Sequence, residues 1–194
     1  MPSSAGPAEL LSDLAVALGR LGAHWYVFGA QAALVWGRPR LTTDVDVTVK
    51  CNVSTDQLVR TLDTHGFSLR IDATDAFIRA TRVVPLDHRA SGLALDVVLA
   101  GPGLEDVFLE RAIPIDVGGT MVPFISPEDL IVTKVLAGRE KDIEDVRGVL
   151  SERGSALDVD RIRTTLRLLQ DALGQNDLIP VFEGELDRWR PSGQ

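Results

Sequence analysis

The chain has 194 residues, of which 45% are hydrophobic and 25% charged, a balance typical of a globular domain. It has no apolar run near the ~18 residues of a membrane span, and its first residues lack the basic start and apolar core of a signal peptide, so we expect no membrane association. Cys51 is the only cysteine. This excludes an internal disulfide and a cysteine-based zinc site, and it leads us to expect a cytoplasmic protein.

The formal net charge of −8 is unevenly distributed along the chain. Residues 34–99 are neutral, with eight basic and eight acidic side chains, whereas residues 100–194 carry −7 from 11 basic and 18 acidic ones. An acidic chain is a poor general binder of nucleic acid, because affinity for a phosphate backbone comes largely from released counterions. The basic residues of the neutral segment could still form a local rim for a triphosphate or an RNA end, or belong to a charge-balanced surface. They are Arg38, Arg40, Lys50, Arg60, Arg70, Arg79, Arg82 and Arg89.

The chain begins with the patterns of a helix, a strand, a tight turn and a second helix. Apolar residues at helical spacing over 7–21 predict an amphipathic helix that packs on a sheet. An apolar strand then ends at Gly29, and the pair Gly29-Ala30 lets the backbone turn closely. The helix predicted from Ala30 to Trp36 starts with N–H groups that lack partners, a place that favours an anion.

The next segment, Asp44-Val45-Asp46-Val47-Thr48-Val49, alternates polar and apolar residues. This period of two predicts a half-buried strand, with Asp44 and Asp46 on one side and the valines in the core. Neighbouring carboxylates repel each other, and strands disfavour aspartate. A divalent cation between the two would remove the repulsion, and their hard oxygen atoms suit magnesium.

A third carboxylate follows in the middle of the chain. The run from Leu93 to Leu99 is apolar except for Asp96, which predicts a strand buried on both faces. A carboxylate in such a strand is costly unless it is paired or binds a cation. Asp96 is therefore a further candidate metal ligand, and an ion pair with an arginine such as Arg40 is the alternative. Between these strands we expect a helix over 54–65, a strand over 67–71 and an extended segment over 76–86.

The last third of the chain predicts a hairpin and several helices. Two strand patterns over 113–117 and 120–125 are joined by two glycines, the signal of a hairpin. Ser126 and Pro127, followed by two acidic residues, then predict the start of a helix. Helical spacing predicts further helices over 158–173 and 179–189.

The ordered string over residues 29–46, with the glycine turn followed by Arg-x-Thr-x-Asp-x-Asp, resembles the signature of the polymerase-β-like nucleotidyltransferases. More narrowly, it resembles the AbiEii-type toxins, a branch of minimal nucleotidyltransferases. In those families a glycine turn holds a triphosphate, and the aspartate pair with a third acid on a neighbouring strand holds magnesium. The resemblance implies that Asp44, Asp46 and Asp96 are the metal ligands and catalytic groups. It also implies that the nucleotide is bound by Gly29, Ala30, Arg40 and Thr42.

A second stretch, over residues 127–145, resembles the AbiEii-type family in its Pro-x-x-Leu…Lys…Arg-x-Lys-Asp-x-x-Asp layout. There a lysine meets the nucleotide phosphates and a downstream aspartate supports the site. The resemblance implies a catalytic, phosphate-binding role for Lys134 and a nucleotide-site role for Asp142. A helical network of ion pairs is the alternative for both residues. At the turn, Ala30 departs from the glycine or serine that is frequent there, so a hydroxyl donor to phosphate is missing.

Pattern and resemblance together predict an α/β (α+β) fold, in which a small mixed β-sheet of nucleotidyltransferase type is flanked by helices. We expect residues 1–150 to form the nucleotidyltransferase domain and residues 151–194 a helical C-terminal extension packed on it. The implied reaction is transfer of a nucleoside monophosphate from a nucleoside triphosphate (NTP) to an acceptor hydroxyl, with release of pyrophosphate and with Mg²⁺ or Mn²⁺ as cofactor.

The resemblance favours a toxin of a toxin–antitoxin system that acts on a tRNA 3′ end and has an antitoxin protein as partner. Two alternatives use the same fold. One is an antibiotic nucleotidyltransferase of the aminoglycoside or lincosamide kind, and the other is an inert domain that binds a nucleotide or a partner. The full set of three acidic residues argues against the inert domain. The ordered motifs argue against a third alternative, a plain α/β domain without a nucleotide site.

Overall fold

The computed structural model describes residues 6–39, 41–70 and 75–190. By its internal contacts the chain divides into two compact units. One unit comprises Met1–Gln31 and Leu41–Ile125 and contains the β-strands, and we call it the sheet unit. The other comprises Ala32–Arg40 and Ser126–Gln194 and is helical, and we call it the helical unit.

A mixed β-sheet forms the core of the sheet unit. Its strands are β1 (His24–Phe28), β2 (Asp44–Lys50), β3 (Phe67–Leu69), β4 (Val83–His88), β5 (Ala94–Leu99), β6 (Ile113–Val117) and β7 (Thr120–Phe124). Over the described residues their order across the sheet is β3-β4-β5-β2-β1-β7-β6. The pair β2 and β5 is parallel, as is the pair β1 and β7, and the remaining neighbours are antiparallel. This mixed sheet and its flanking helices confirm the predicted fold class.

The helices of the first half of the chain are α1 (Pro7–Arg20), α2 (Gly29–Trp36), α3 (Thr55–Thr64), α4 (Asp75–Thr81) and α5 (Leu104–Arg111). Helix α1 buries one face through Leu10, Leu14 and Leu18 and packs on β7, as its apolar spacing predicts. Helix α2 starts directly after β1, so its first turn lies at the end of a central strand of the sheet.

Strand β5 is buried on one face only, which corrects the prediction of a strand buried on both faces. Leu95 and Val97 are fully buried, whereas Ala94, Asp96 and Val98 are half-buried. An apolar run does not by itself show that both faces of a strand are buried, because apolar side chains also occupy a large part of exposed protein surface. The carboxylate of Asp96 therefore lies on a partly solvated face rather than inside the core.

The segment predicted as extended over 76–86 is helical in its first half. Helix α4 ends at Thr81, Arg82 has a positive φ of 59°, and β4 then runs from Val83 through Pro85. A helix of seven residues has about two turns, too few for helical spacing to differ clearly from alternation. Pro85 is buried within β4, where it is the register partner of Asp96.

The helical unit contains α6 (Pro127–Ala137), α7 (Glu140–Arg153), α8 (Val159–Leu173) and α9 (Leu178–Trp189), and α6 packs against the other three. The expected division at residue 150 falls within α7, whose Val146, Val149 and Leu150 are buried. The compact units therefore do not coincide with that division, and residues 1–150 as the nucleotidyltransferase domain stay a prediction. None of the helices in the described part of the chain has the length and apolar character needed to cross a bilayer.

Candidate active site

Three aspartates share one face of the sheet at the start of β2 and the middle of β5. Asp46 and Asp96 are register partners on these parallel strands, so their side chains leave the sheet on the same side. Asp44 precedes Asp46 by two residues and shares that side. Asp44 is exposed, whereas Asp46 and Asp96 are partly exposed. We call these three residues the carboxylate row, and the strand register places them as the sequence predicts.

Gly29 closes one end of the carboxylate row. Its neighbour Phe28 is the register partner of Asp46, and Gly29 itself has a φ of 64°, which L side chains adopt only with strain. A Cβ atom at this position would lie 2.1 Å from Oδ2 of Asp46. The carboxylate therefore packs directly on the backbone of the turn, and only glycine leaves room for it. Ala30, which follows, is buried, so its side chain takes no part in the exposed surface of the site.

Local hydrogen bonds hold Asp44. The Thr42 hydroxyl donates to Oδ1 of Asp44 at 2.5 Å, and the Gln31 amide donates to the Asp44 carbonyl at 3.4 Å. Thr42 was predicted to bind the nucleotide, and the structure places its hydroxyl beside the first carboxylate. No sequence pattern predicts the Gln31 contact, because its two residues are 13 positions apart in the sequence and a loop lies between them.

Asp96 is ion-paired with Arg70. Nη2 of Arg70 lies 2.5 Å from Oδ1 of Asp96, and both side chains are about one-third exposed. The alternative of an arginine partner for Asp96 is thus present, although the partner is Arg70 and not the suggested Arg40. Arg40 lies outside the described residues, so its predicted contact with the nucleotide stays a prediction.

The carboxylate row has the donor chemistry of a magnesium site, because Mg²⁺ prefers carboxylate oxygens. In the described ranges, however, no three His, Cys, Asp or Glu side chains lie close enough together to hold a metal ion. Two of the carboxylates are turned to other partners, since Oδ1 of Asp44 accepts from Thr42 and Oδ1 of Asp96 from Arg70. The residues therefore fit the cation by type and by strand position. Side-chain rotation is required to bring their oxygens together.

A second charged cluster lies in the helical unit. Nζ of Lys134 on α6 is 2.9 Å from Asp142 and 2.7 Å from Asp145, both on α7. Arg139 adds a hydrogen bond to Asp142 at 2.5 Å. The side chains of Lys134, Asp142 and Asp145 are at most 8% exposed, so this is a buried ion-pair network. We call these three residues the buried cluster.

Two opposing effects act on the pKa of Asp142 in the buried cluster. Burial acts to raise the pKa of Asp142, but hydrogen bonds from Arg139 and Lys134, together with their charges, outweigh it and hold the pKa below its ordinary value. Asp145 was not assigned a role from the sequence. The signal that could have found it is the Asp142-x-x-Asp145 spacing, which puts both carboxylates on one side of a helix.

Most of the basic residues that could have formed a rim in the sheet unit are ion-paired with carboxylates of the same unit. This favours the alternative of a charge-balanced surface over a rim open to polyanions. The sheet unit as a whole has eight basic and 14 acidic residues, a net charge of −6. The pairs are Lys50–Asp106, Arg60–Asp56, Arg70–Asp96, Arg82–Glu105 and Arg89–Asp63.

Comparison with protein families gives a match over residues 20–173 to a family described as nucleotidyltransferase of unknown function, DUF6036. The chain belongs to this family. The expectation that it is a nucleotidyltransferase is thereby confirmed at the level of the family, and the matched range includes every predicted site residue. The narrower AbiEii-type resemblance stays a prediction. No curated protein matches the sequence.

Solved structures resemble this DUF6036 nucleotidyltransferase in fold. The antibiotic-resistance factor ANT(2″)-Ia in solution is 17% identical, with a TM-score of 0.58 over 86% of this chain and 94% of that one. The lincosamide antibiotic adenylyltransferase LnuA, bound to lincomycin, is 16% identical, with a TM-score of 0.53 over 77% of this chain and 99% of that one. An antigenic nucleotidyltransferase-like protein from Paracoccidioides brasiliensis is 18% identical, with a TM-score of 0.50 over 91% of both chains. At these identities the likeness establishes the fold alone.

Proposed function

We propose that this chain transfers a nucleoside monophosphate from an NTP to an acceptor hydroxyl and releases pyrophosphate, in the cytoplasm and with Mg²⁺ or Mn²⁺ as cofactor. The observation that carries this proposal is the carboxylate row beside Gly29. Three carboxylates on one face of two parallel strands meet a glycine turn whose next residues start a helix. Carboxylates on one face of neighbouring strands are suitable ligands for a divalent cation, and the helix start favours an anion.

In this proposal Asp44, Asp46 and Asp96 hold the cation. When bound, the divalent cation would make the acceptor hydroxyl a better nucleophile and neutralise charge that gathers on the transferred phosphate. Gly29 leaves room for the Asp46 carboxylate beside the turn. The first N–H groups of α2 can donate to a phosphate that the cation holds there. The nucleotide contacts proposed for Ala30, Arg40 and Thr42 complete this part of the site.

The roles proposed for Lys134 and Asp142 make a separate part of the proposal. Lys134 is a phosphate contact in this account, and Asp142 supports it. Because Nζ of Lys134 is buried between Asp142 and Asp145, binding a phosphate requires it to exchange one carboxylate for a phosphate oxygen. A lysine then acts as a point charge on the phosphate.

The charge of the sheet unit indicates which class of acceptor the protein can bind. An RNA acceptor, as in a tRNA-directed toxin with an antitoxin partner, needs basic side chains free to contact phosphates. Among the described residues of the unit, at least five basic side chains are ion-paired, and the net charge of the unit is −6. This charge favours a small, neutral or cationic hydroxyl compound over RNA. Similar structures include a complex with adenylyl-2″-tobramycin and one with lincomycin, so unmodified tobramycin and lincomycin are the first acceptors to test.

The proposal is tested by incubating the protein with each labelled NTP and Mg²⁺ in the presence of total RNA, an aminoglycoside or a lincosamide. We expect label on a small acceptor and none with the Asp46→Asn variant. Label on tRNA instead would establish the toxin-like acceptor and leave the chemistry intact. An absence of labelled product with every acceptor and every NTP, together with tight nucleotide binding, would favour the inert nucleotide-binding domain.

A further inference from the structure

Arg70 and Asp96 form an ion pair across a strand of the sheet. The backbone N–H of Arg70, just after β3, donates to the Pro85 carbonyl on β4 at 3.1 Å. Pro85 is in turn the register partner of Asp96 on β5, and Asp96 is that of Asp46 on β2. Arg70, Pro85, Asp96 and Asp46 are therefore cross-strand neighbours in one row across the sheet. The Arg70 side chain spans the β4 position and contacts Oδ1 of Asp96 at 2.5 Å.

The Arg70 guanidinium holds one of the two oxygens with which Asp96 could bind a metal. A carboxylate that accepts a charge-assisted hydrogen bond from arginine has that oxygen turned to the guanidinium. A divalent cation shared with Asp46 requires Asp96 to direct an oxygen towards β2 instead. Because the pair is one-third exposed on both sides, water can solvate the guanidinium once it is released. The pair is thus exposed enough to open, unlike the buried cluster.

We propose that Arg70 is a displaceable counter-ion of Asp96 that sets the affinity of the carboxylate row for its divalent cation. The inference rests on the proposed function, since it assumes that the row binds the cation. Arg70 acts through Asp96 and is a positioning residue. It stabilises Asp96 in the cation-free protein, and in this proposal the bound cation displaces it from Oδ1. Arg70 therefore weakens cation binding by the free energy of the pair.

The proposal separates a specific contact from a general effect of charge. Removal of any nearby positive charge favours cation binding, but a long-range effect acts equally whether or not Asp96 is ionised. A displaced counter-ion acts only through Asp96. Arg82 supplies the matched control, because it is an arginine of the same unit that pairs with Glu105 and the Leu99 carbonyl.

The experiment measures the Mn²⁺ dissociation constant of the nucleotide-free protein by electron paramagnetic resonance of free Mn²⁺. The variants are Arg70→Met, Asp96→Asn, the double variant of these two, Asp46→Asn and Arg82→Met. We expect Arg70→Met to bind Mn²⁺ roughly two- to tenfold more tightly, the range for loss of a partly exposed ion pair beside the site. Arg82→Met should change the affinity less than twofold. In the Asp96→Asn background, Arg70→Met should have no effect.

Three results would overturn the proposal: unchanged Mn²⁺ affinity in Arg70→Met, weaker binding in that variant, or an equal gain with and without Asp96. If Arg70→Met does not fold, Arg70→Gln decides, because it removes the charge and keeps a hydrogen-bond donor. Failure of the proposed function gives a different pattern. In that case Asp96→Asn and Asp46→Asn both bind Mn²⁺ as the wild type does, whereas failure of this inference alone leaves both weakened.

Discussion

The carboxylate row and the buried cluster are two groups of acidic residues that the same chain treats in opposite ways. In the row, Asp96 is one-third exposed and its partner Arg70 is equally so. In the buried cluster, Asp142 has no exposed side-chain surface and Lys134 contacts two carboxylates at once. The carboxylate row faces water, which can replace its partners. The buried cluster is enclosed, and loss of a partner there has a large cost in free energy.

This difference separates charges whose partners can be replaced at little cost from charges whose loss of a partner lowers the stability of the fold. A buried ion whose partner is removed is left uncompensated and costs several kcal/mol. A partly exposed carboxylate loses little when its partner leaves, because water replaces the hydrogen bond. We therefore expect substitutions in the row to act mainly on chemistry. Substitutions in the buried cluster should lower stability in addition to any effect on the phosphate contact proposed for Lys134.

The largest expected effect is that of Lys134→Met. Removal of the lysine leaves Asp142 and Asp145 buried without their shared partner, which should lower the free energy of unfolding by about 3–5 kcal/mol. The matched control is Lys50→Met, an exposed lysine paired with Asp106, which should cost at most ~1 kcal/mol. Urea denaturation checks both values. A Lys134→Met variant as stable as the wild type but with weakened triphosphate binding would show that this lysine serves the nucleotide and not the fold.

Next is Asp46→Ala, which removes a proposed metal ligand. Neither neighbour on β2 can replace it, since Val45 and Val47 face the core. Loss of such a transition-state contact typically costs ~3–4 kcal/mol, or roughly a hundred- to a thousandfold in rate. The melting temperature should stay near that of the wild type or rise, because repulsion between carboxylates is relieved. Initial rates of nucleotide transfer, compared with those of Asp56→Ala on the exposed surface of α3, test this. Full activity in a soluble Asp46→Ala protein would show that the carboxylate is structural.

A smaller effect is expected for Gly29→Ala, which adds a Cβ 2.1 Å from the Asp46 carboxylate. The side chain of Asp46 must move, so we expect transfer to fall at least ~10-fold, in addition to ~1 kcal/mol of strain at a positive φ. Gly22→Ala is the control, because Gly22 has a similar φ of 58° and open space around it. The two variants should melt at similar temperatures and differ in rate. Equal rates would mean that the turn does not contact the reacting groups.

The smallest expected effect is a change in the free energy of unfolding at acidic pH. The pKa of Asp142 is lowered in the folded protein, so its charged form contributes stability above its unfolded pKa of about 3.8. That contribution is lost as the pH falls through the lower, folded pKa. We therefore expect the free energy of unfolding to fall with pH below about 4, and to fall less steeply in Asp142→Asn. Identical slopes for the two proteins, measured by denaturation between pH 2 and pH 6, would contradict a charged Asp142.

The strand–turn–helix at Gly29 and the aspartates of β2 could be predicted because their signals are local. A period of two puts Asp44 and Asp46 on one face whatever the rest of the chain does. The two-glycine hairpin between β6 and β7 is equally local, and Gly118 and Gly119 both have positive φ as such a turn requires. Asp96 was found partly through the family resemblance, and the physical argument for it assumed more burial than β5 has.

The pairing of the site residues could not be predicted, because it depends on strands and helices that are distant in sequence. Arg70 meets Asp96 only because β4 lies between β3 and β5 in the sheet order. Lys134 meets Asp145 only because α6 packs against α7. A charge in a sequence indicates which residue can form a pair, and the fold decides which partner and how much water it has.

Calorimetry with a non-hydrolysable NTP analogue measures whether the carboxylate row binds the nucleotide through a divalent cation. We expect measurable binding in the presence of Mg²⁺ or Mn²⁺ and no measurable binding when the cation is removed by a chelator. Equal affinity with and without the cation would contradict this binding mode, because the carboxylates would then repel the triphosphate rather than hold it.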